Sequence, residues 1–213
     1  MINAWLALGG LGMMLAGILP VLWWRYRTLV PWRDFFLGGA IWMAAIGAKL
    51  LMDVTVKPLL FNWLSGIYTI FGIAVISGAY VGLRTGFLES GLTYFAALKS
   101  RILKYDYQQA VAFGLGFGCL EAFLLGLSSF LSISLLLVFP SMIDIMPPPQ
   151  RAAVLEQLTL PTLFALAPIL ERAFVIAIHV FCSVLAIHGA KALRAEYFIL
   201  SFLIKTEIGR AHV

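Results

Sequence analysis

What constrains this chain most is a succession of long apolar runs, each separated from the next by a short cluster of basic residues. A helix needs about 17 to 25 predominantly apolar residues to cross a bilayer, and several runs here are of that size. In hydrocarbon every backbone N–H and C=O must be bonded within the chain, and the runs lack the alternation of a barrel strand, so they read as helices. The fold class is therefore all-α, a polytopic transmembrane bundle of about six to seven helices, one of them short or re-entrant. Composition closes the other routes. Hydrophobic residues make up 62% of the chain and charged residues 12%, about half the charge of an ordinary soluble domain, and the mean hydropathy is +0.98. A soluble enzyme and a disordered tail are excluded. So is a cystine scaffold, because Cys119 and Cys182 both lie inside apolar stretches and read as buried thiols.

Spans are expected from Ala4 to Trp24, Phe35 to Met52, Trp63 to Leu83, Tyr107 to Val138 and Leu163 to Ala190, with a further one opening at Tyr197. The net charge of +5 marks no nucleic-acid surface, because Lys and Arg sit between the spans, where they report topology. Arg25, Arg27 and Arg33, then Lys99, Arg101 and Lys104, then Lys191 and Arg194, fall on the cytoplasmic side by the positive-inside rule. The N-terminus and the loop from Met146 to Gln150 then lie outside. The first span has no basic residue before it and is expected to stay as an anchor rather than to be cleaved as a signal peptide. The location implied is the plasma (inner) membrane, multi-pass, with the lipid bilayer as the constant partner. Arg84 and Lys99 would both be inside, yet Thr85 to Leu98 reaches only about 20 Å as a helix, so this segment is read as the re-entrant one. A single membrane domain is expected over 1–206. Residues 207–213, Glu207 to Val213, break the last apolar span and resemble a translated sequencing adapter; on that reading the last helix is incomplete and His212 carries no meaning.

An ionisable side chain near mid-bilayer costs about 2.5 to 3.5 kcal/mol on insertion scales, so each one is a functional candidate. Glu89, Glu121, Glu171, Arg172 and His179 qualify. Glu121 lies roughly 21 Å along its helix from Tyr107 and shares a face with Gly114, Gly118 and Ser128. The Gly114–Gly118 spacing lets another helix come close, so Glu121 should face protein, as a neutral hydrogen-bonded acid or as a ligand or acid/base group. His179 stands at similar depth, roughly 18 Å from Lys191, with Arg172 and Ser183 on its face. It reads equally as a buried imidazole bonded to a neighbouring helix and as a metal ligand. Glu171 and Arg172 point about 100° apart and are expected to bond to different helices rather than to each other; Arg172 could also stabilise an oxyanion. Glu89 forms a stripe with Thr85, Thr93 and Ser100, of the kind that lines a wet cavity. A His179–Cys182 ligand pair is possible by spacing, whereas Cys119 does not share the face of Glu121, and neither cysteine is taken as a site residue. Two carboxylates and a histidine on different helices could hold a divalent metal and polarise water against a peptide bond. They would also suit a proton-coupled transporter.

The stretch Gly114-Leu-Gly-Phe-Gly-Cys-Leu-Glu-Ala122 with Leu124-Leu-Gly126, and the later Glu171-Arg-Ala-Phe-Val-Ile-Ala-Ile-His179 with Ser183-Val184-Leu185, resemble the YhfC-type intramembrane metalloproteases, relatives of PrsW and the CAAX prenyl endopeptidases. The resemblance covers nearly the whole chain. It implies a helical membrane enzyme with a divalent metal, zinc, at a site open toward the cytoplasm, and a membrane protein or peptide as substrate. Glu89 would then be the water-activating base, with Glu121 and His179 as metal ligands or their supports. The family's Glu-Glu-x-x-Arg motif reads here Glu89-Ser90-Gly91-Leu92-Thr93, and the histidine expected four residues before the Glu of the glycine-rich motif is Phe117. A further His and Asp from a final helix would fall after Leu203. Losses of supporting groups commonly cost about ten- to a hundredfold in affinity or activity, so a catalytically inactive membrane scaffold stands beside the enzyme as a reading.

Overall fold

The computed structural model describes residues 3–66 and 69–210. Its described residues form eight α-helices joined by turns and short 3-10 segments, without strands. These are α1 (Ala7–Thr28), α2 (Trp32–Ser65), α3 (Ile70–Lys99), α4 (Tyr107–Val138), α5 (Ser141–Asp144), α6 (Pro148–Leu158), α7 (Leu166–Ala192) and α8 (Ala195–Arg210). Five helical rods are long and apolar enough to cross a membrane: Ala4–Thr28, Trp32–Ser65, Ile70–Lys99, Tyr107–Val138 and Thr162–Ala192. The all-α polytopic bundle expected from the apolar runs is the fold the chain adopts.

Local chemistry sets the helix ends. Asp106 opens α4 with a capping box, its carboxylate accepting from the Gln109 N–H at 2.8 Å while the Gln109 side chain accepts from the Asp106 N–H at 3.2 Å. Thr69 caps α3 by accepting from the Gly72 N–H. α7 ends on Leu193, whose φ of 55° turns the chain sharply enough for α8 to start at Ala195 and fold back along the bundle.

α4 runs through the middle, packed on α1, α2 and α7. Lipid supplies little hydrophobic drive for helices to associate, so close backbone approach carries much of the packing. A Cβ on Gly114 would lie 2.6 Å from Val180 Cα of α7, and one on Gly126 would lie 2.7 Å from the Gly10 carbonyl of α1. The small-residue seam expected at Gly114 and Gly118 is thus the contact between α4 and α7.

The two ends of the bundle differ in charge. Asn3 donates from its backbone to the Leu158 carbonyl and from its side chain to the Leu160 carbonyl, both at 2.8 Å, so the first helix begins beside the α6–α7 connection. At the opposite end the Trp24 indole donates to Gln108 O at 3.1 Å, Lys191 to Tyr105 O at 3.2 Å and Tyr105 OH to Asp34 at 2.6 Å. The clusters of Arg25 and Arg27, of Lys99, Arg101 and Lys104, and of Lys191 and Arg194 gather at this second end, because each lies at the same end of an antiparallel rod.

Two expectations about the spans change. Trp63 does not open the third span: α2 continues to Ser65 and the chain turns at Gly66. Nor is Thr85 to Leu98 a separate re-entrant helix, because it is the second half of the unbroken α3. The expectation puts Arg84 at the cytoplasmic boundary. Arg84 instead stays inside the bundle, 8% exposed, donating to Asp53 at 2.5 Å and to the Lys49 carbonyl at 3.2 Å. A paired guanidinium need not mark a membrane boundary. Only the start of the stretch expected as a loop from Met146 to Gln150 is one, because Pro148 to Gln150 already form the first turn of α6, and His212 lies outside the described residues.

Candidate functional site

Glu89, Glu121 and His179 come from three helices and meet. α4 can lie against α7 at this level because Gly118 has no side chain, and a Cβ there would sit 2.9 Å from His179 Cβ. With the backbones that close, His179 Nε2 reaches Glu121 Oε2 at 2.9 Å. The other edge of the ring faces α3, where His179 Nδ1 is 3.7 Å from Glu89 Oε2. Glu89 and His179 are each 5% exposed at the side chain, and Glu121 is 18% exposed.

Every one of these groups has a basic partner. Lys49 of α2 and Lys205 of α8 both bond to Glu89, the second at 2.6 Å, and Lys205 also hydrogen-bonds to His179 Nδ1. Glu121 accepts from Arg172 at 3.0 Å on Oε1 and from the Trp42 indole at 3.0 Å on Oε2. The result is one line of bonds, Arg172–Glu121–His179–Lys205–Glu89–Lys49, crossing α7, α4, α8, α3 and α2. The network assigns the tautomer: a carboxylate at Nε2 requires a proton there, and an ammonium at Nδ1 requires a lone pair.

The sequence pointed to Glu89, Glu121, Arg172 and His179, and all four lie in this line. It did not point to Lys49, Lys205 or Trp42. An intramembrane lysine is as strong a signal as an intramembrane acid, and Lys49 lies within an expected span while Lys205 lies in the one opening at Tyr197. One further expectation is overturned. Arg172 does pair with its neighbour Glu171, through Nη2, while Nη1 reaches Glu121. The angle between adjacent Cα–Cβ bonds is large, but an arginine side chain is long enough to curve back.

The positions where the glycine-rich and acidic motifs depart from the family pattern have structural work of their own. Ser90 Oγ pairs with Ser201 Oγ of α8 at 2.8 Å, Thr93 donates to the Glu89 carbonyl at 2.8 Å, and the Phe117 ring lies 5.0 Å from the imidazole of His179. Both cysteines are buried free thiols, as expected.

A cavity of about 260 Å³ opens onto the line of bonds, lined by Lys49, Arg84, Thr85, Glu89, Glu121 and His179 among others. Arg84 adds a buried Nε that has no hydrogen-bond partner among the described residues. A larger cavity of about 380 Å³ lies between α1, α2 and α4, but its lining, which includes Trp32, Phe35 and Phe123, holds no charged side chain. The chemistry belongs to the smaller one.

A divalent ion does not fit these donors as they stand. Glu121 and Glu89 address opposite edges of the imidazole, so they do not converge with it on one position. The position between Glu89 and His179 is taken by Lys205. Among the described residues no three His, Cys, Asp or Glu side chains are placed to hold a metal ion. Glu121 Oε2 is held instead by His179 Nε2 at 2.9 Å and by the Trp42 indole at 3.0 Å.

No curated protein and no solved structure matches the chain. A family model does, over residues 12–211, which takes in every helix of the line and both of its ends. The buried acids, the histidine and the glycine seam that brings them together therefore sit within a matched whole, and the chain belongs to the YhfC intramembrane metalloprotease family.

Proposed function

We propose that this chain cleaves peptide bonds of membrane-embedded segments, at the cavity bounded by Glu89, Glu121 and His179. The observation that carries the reading is the meeting of those three side chains, from α3, α4 and α7, on one buried polar cavity in a member of this family. Hydrolysis needs a group to take a proton from water and a group to return one to the leaving amine. Glu89 is the base of this reading and Lys205, bonded to both Glu89 and His179, the proton donor. Glu121 keeps His179 in the tautomer that accepts from Lys205. Arg84, which lines the cavity, brings a guanidinium close to where a substrate carbonyl would lie. No step is assigned to a metal.

The test is cleavage of membrane-helix reporter peptides by the full chain in bilayer nanodiscs. Glu89→Gln, measured in protein that still unfolds cooperatively, is expected to lower the rate at least a hundredfold; an unchanged rate removes Glu89 as the base, and no cleavage by the unaltered chain removes the reading. A second reading, a catalytically silent membrane scaffold, is favoured by one observation: both pocket carboxylates are already held by cations of the chain itself. Absence of cleavage with intact folding would select it. The end of the bundle that gathers the basic clusters is assigned to the cytoplasm of a plasma (inner) membrane, with the N-terminus outside. Labelling of single cysteines introduced at Leu29 and Gln150 from either side checks that orientation.

A further inference from the structure

We propose that the ε-ammonium of Lys205 is the resident cation of the polar centre, and that it keeps a divalent ion out from between Glu89 and His179 while α8 lies on α3. The inference rests on reading this cluster as the working centre. Lys205 Nζ is 2.6 Å from Glu89 Oε2 and hydrogen-bonded to His179 Nδ1. Those two acceptors stand 3.7 Å apart, a little less than twice the ~2.0–2.2 Å bonds zinc makes to nitrogen and oxygen. The place within bonding reach of both is where a small cation would be held, and Lys205 fills it.

The lysine is held there by more than its charge. Its side chain is 3% exposed, and its Nζ lies 4.4 Å from the centre of the Phe117 ring, whose face attracts cations. Ser201, one helical turn earlier on α8, is bonded to Ser90 of α3 and donates to the Cys182 carbonyl of α7 at 3.0 Å. α8 also presses directly on α3 backbone: a Cβ on Gly86 would lie 2.7 Å from the Phe202 carbonyl, and one on Gly82 would lie 2.6 Å from the Thr206 carbonyl. Lys205 therefore cannot leave its place by sliding α8 without breaking these contacts.

Charge points the same way. Glu89, Glu121 and Glu171 face Lys49, Lys205 and Arg172, so the ionised groups of the cluster cancel. A divalent ion added to them would leave an uncompensated surplus in a medium that screens it poorly. Binding one requires Lys205 to withdraw or to give up its proton.

The experiment is zinc titration of the purified full chain in nanodiscs, read as zinc bound per chain and as the shift of thermal midpoint that zinc produces. The unaltered chain is expected to retain no stoichiometric zinc and to show no shift. Lys205→Met, which keeps the length and removes the charge, is expected to bind zinc at least tenfold more tightly. Lys205→Arg should show no gain, and adding Glu89→Gln to Lys205→Met should abolish it. Zinc bound one per chain by the unaltered protein and lost in His179→Ala overturns the proposal, as does a folded Lys205→Met with no gain. Should Lys205→Met fold poorly, the titration of the unaltered chain still decides the matter. Reporter cleavage, measured in parallel, separates the two claims. Zinc gain in Lys205→Met with no cleavage by either form sinks the peptidase reading alone, whereas cleavage by an unaltered chain that binds zinc sinks the role of Lys205 alone.

Discussion

His179 Nε2 lies 2.9 Å from Glu121 Oε2, and the same carboxylate accepts 3.0 Å hydrogen bonds from Arg172 and Trp42. One side chain on α4 thereby fixes an imidazole and a guanidinium on α7 and an indole on α2. Loss of that carboxylate would leave three donors between the helices without their acceptor.

Glu121→Ala is expected to destabilise the bundle by about 3 to 5 kcal/mol, the usual cost of removing one partner of a buried ion pair. Glu121→Gln keeps the shape and one acceptor and should cost less than half as much. Thermal unfolding of the two variants in the same detergent checks the order. Equal losses would mean that the charge of Glu121, rather than its hydrogen bonds, holds the helices.

The α4–α7 seam makes a prediction with a built-in control. Gly118→Ala places a Cβ 2.9 Å from His179 Cβ and 3.1 Å from Ile176 Cα, so α7 must move away. Overpacking of this kind costs about 1 to 3 kcal/mol, and the displaced imidazole should also lose its bond to Glu121. Gly91→Ala, on α3, meets nothing within 4 Å. It should be neutral or should stabilise the helix by about 0.5 to 1 kcal/mol, the difference in helix propensity between the two residues. Unfolding midpoints that move in the same direction for both variants would refute the close approach at Gly118.

The bundle was legible in the sequence because each span is an unbroken apolar run and because Gly114 and Gly118 recur at the interval that lets helices touch. Glu89, Glu121 and His179 were legible for a related reason: an ionisable group far from any charged neighbour in sequence has to find its partner in space. Lys49 and Lys205 escaped notice because a lysine near the edge of an apolar run ordinarily stretches to the headgroups. Only the continuation of α2 to Ser65 puts Lys49 well inside a helix, and only the fold-back of α8 carries Lys205 to Glu89. Arg84 was misread for the opposite reason. A basic residue between apolar runs reads as a marker of the membrane boundary, and nothing local to Arg84 reveals that Asp53 waits for it on another helix.

At the basic end, Tyr105 OH donates to Asp34 Oδ1 at 2.6 Å, and Gln109 supplies a second donor to the other oxygen at 3.2 Å. Asp34 is fully buried, so the phenol satisfies a carboxylate that solvent does not reach. Burial of Tyr105, with the Asp34 carboxylate beside it, pushes the phenol above its ordinary value of 10.0. A group whose folded value is raised stabilises the fold fully below its unfolded value and loses that contribution as pH climbs past it. Stability of the unaltered chain should therefore begin to fall above about pH 10 as the unfolded chain sheds this proton first. Tyr105→Phe should be less stable at pH 7 by about 1.5 to 3 kcal/mol, the range for a hydrogen bond to a charged group. It should also lose less on going from pH 9 to pH 11 than the unaltered chain does. Unfolding at a series of pH values tests both halves, and parallel pH profiles for the two proteins would show that the Tyr105–Asp34 bond contributes nothing to the stability of this end.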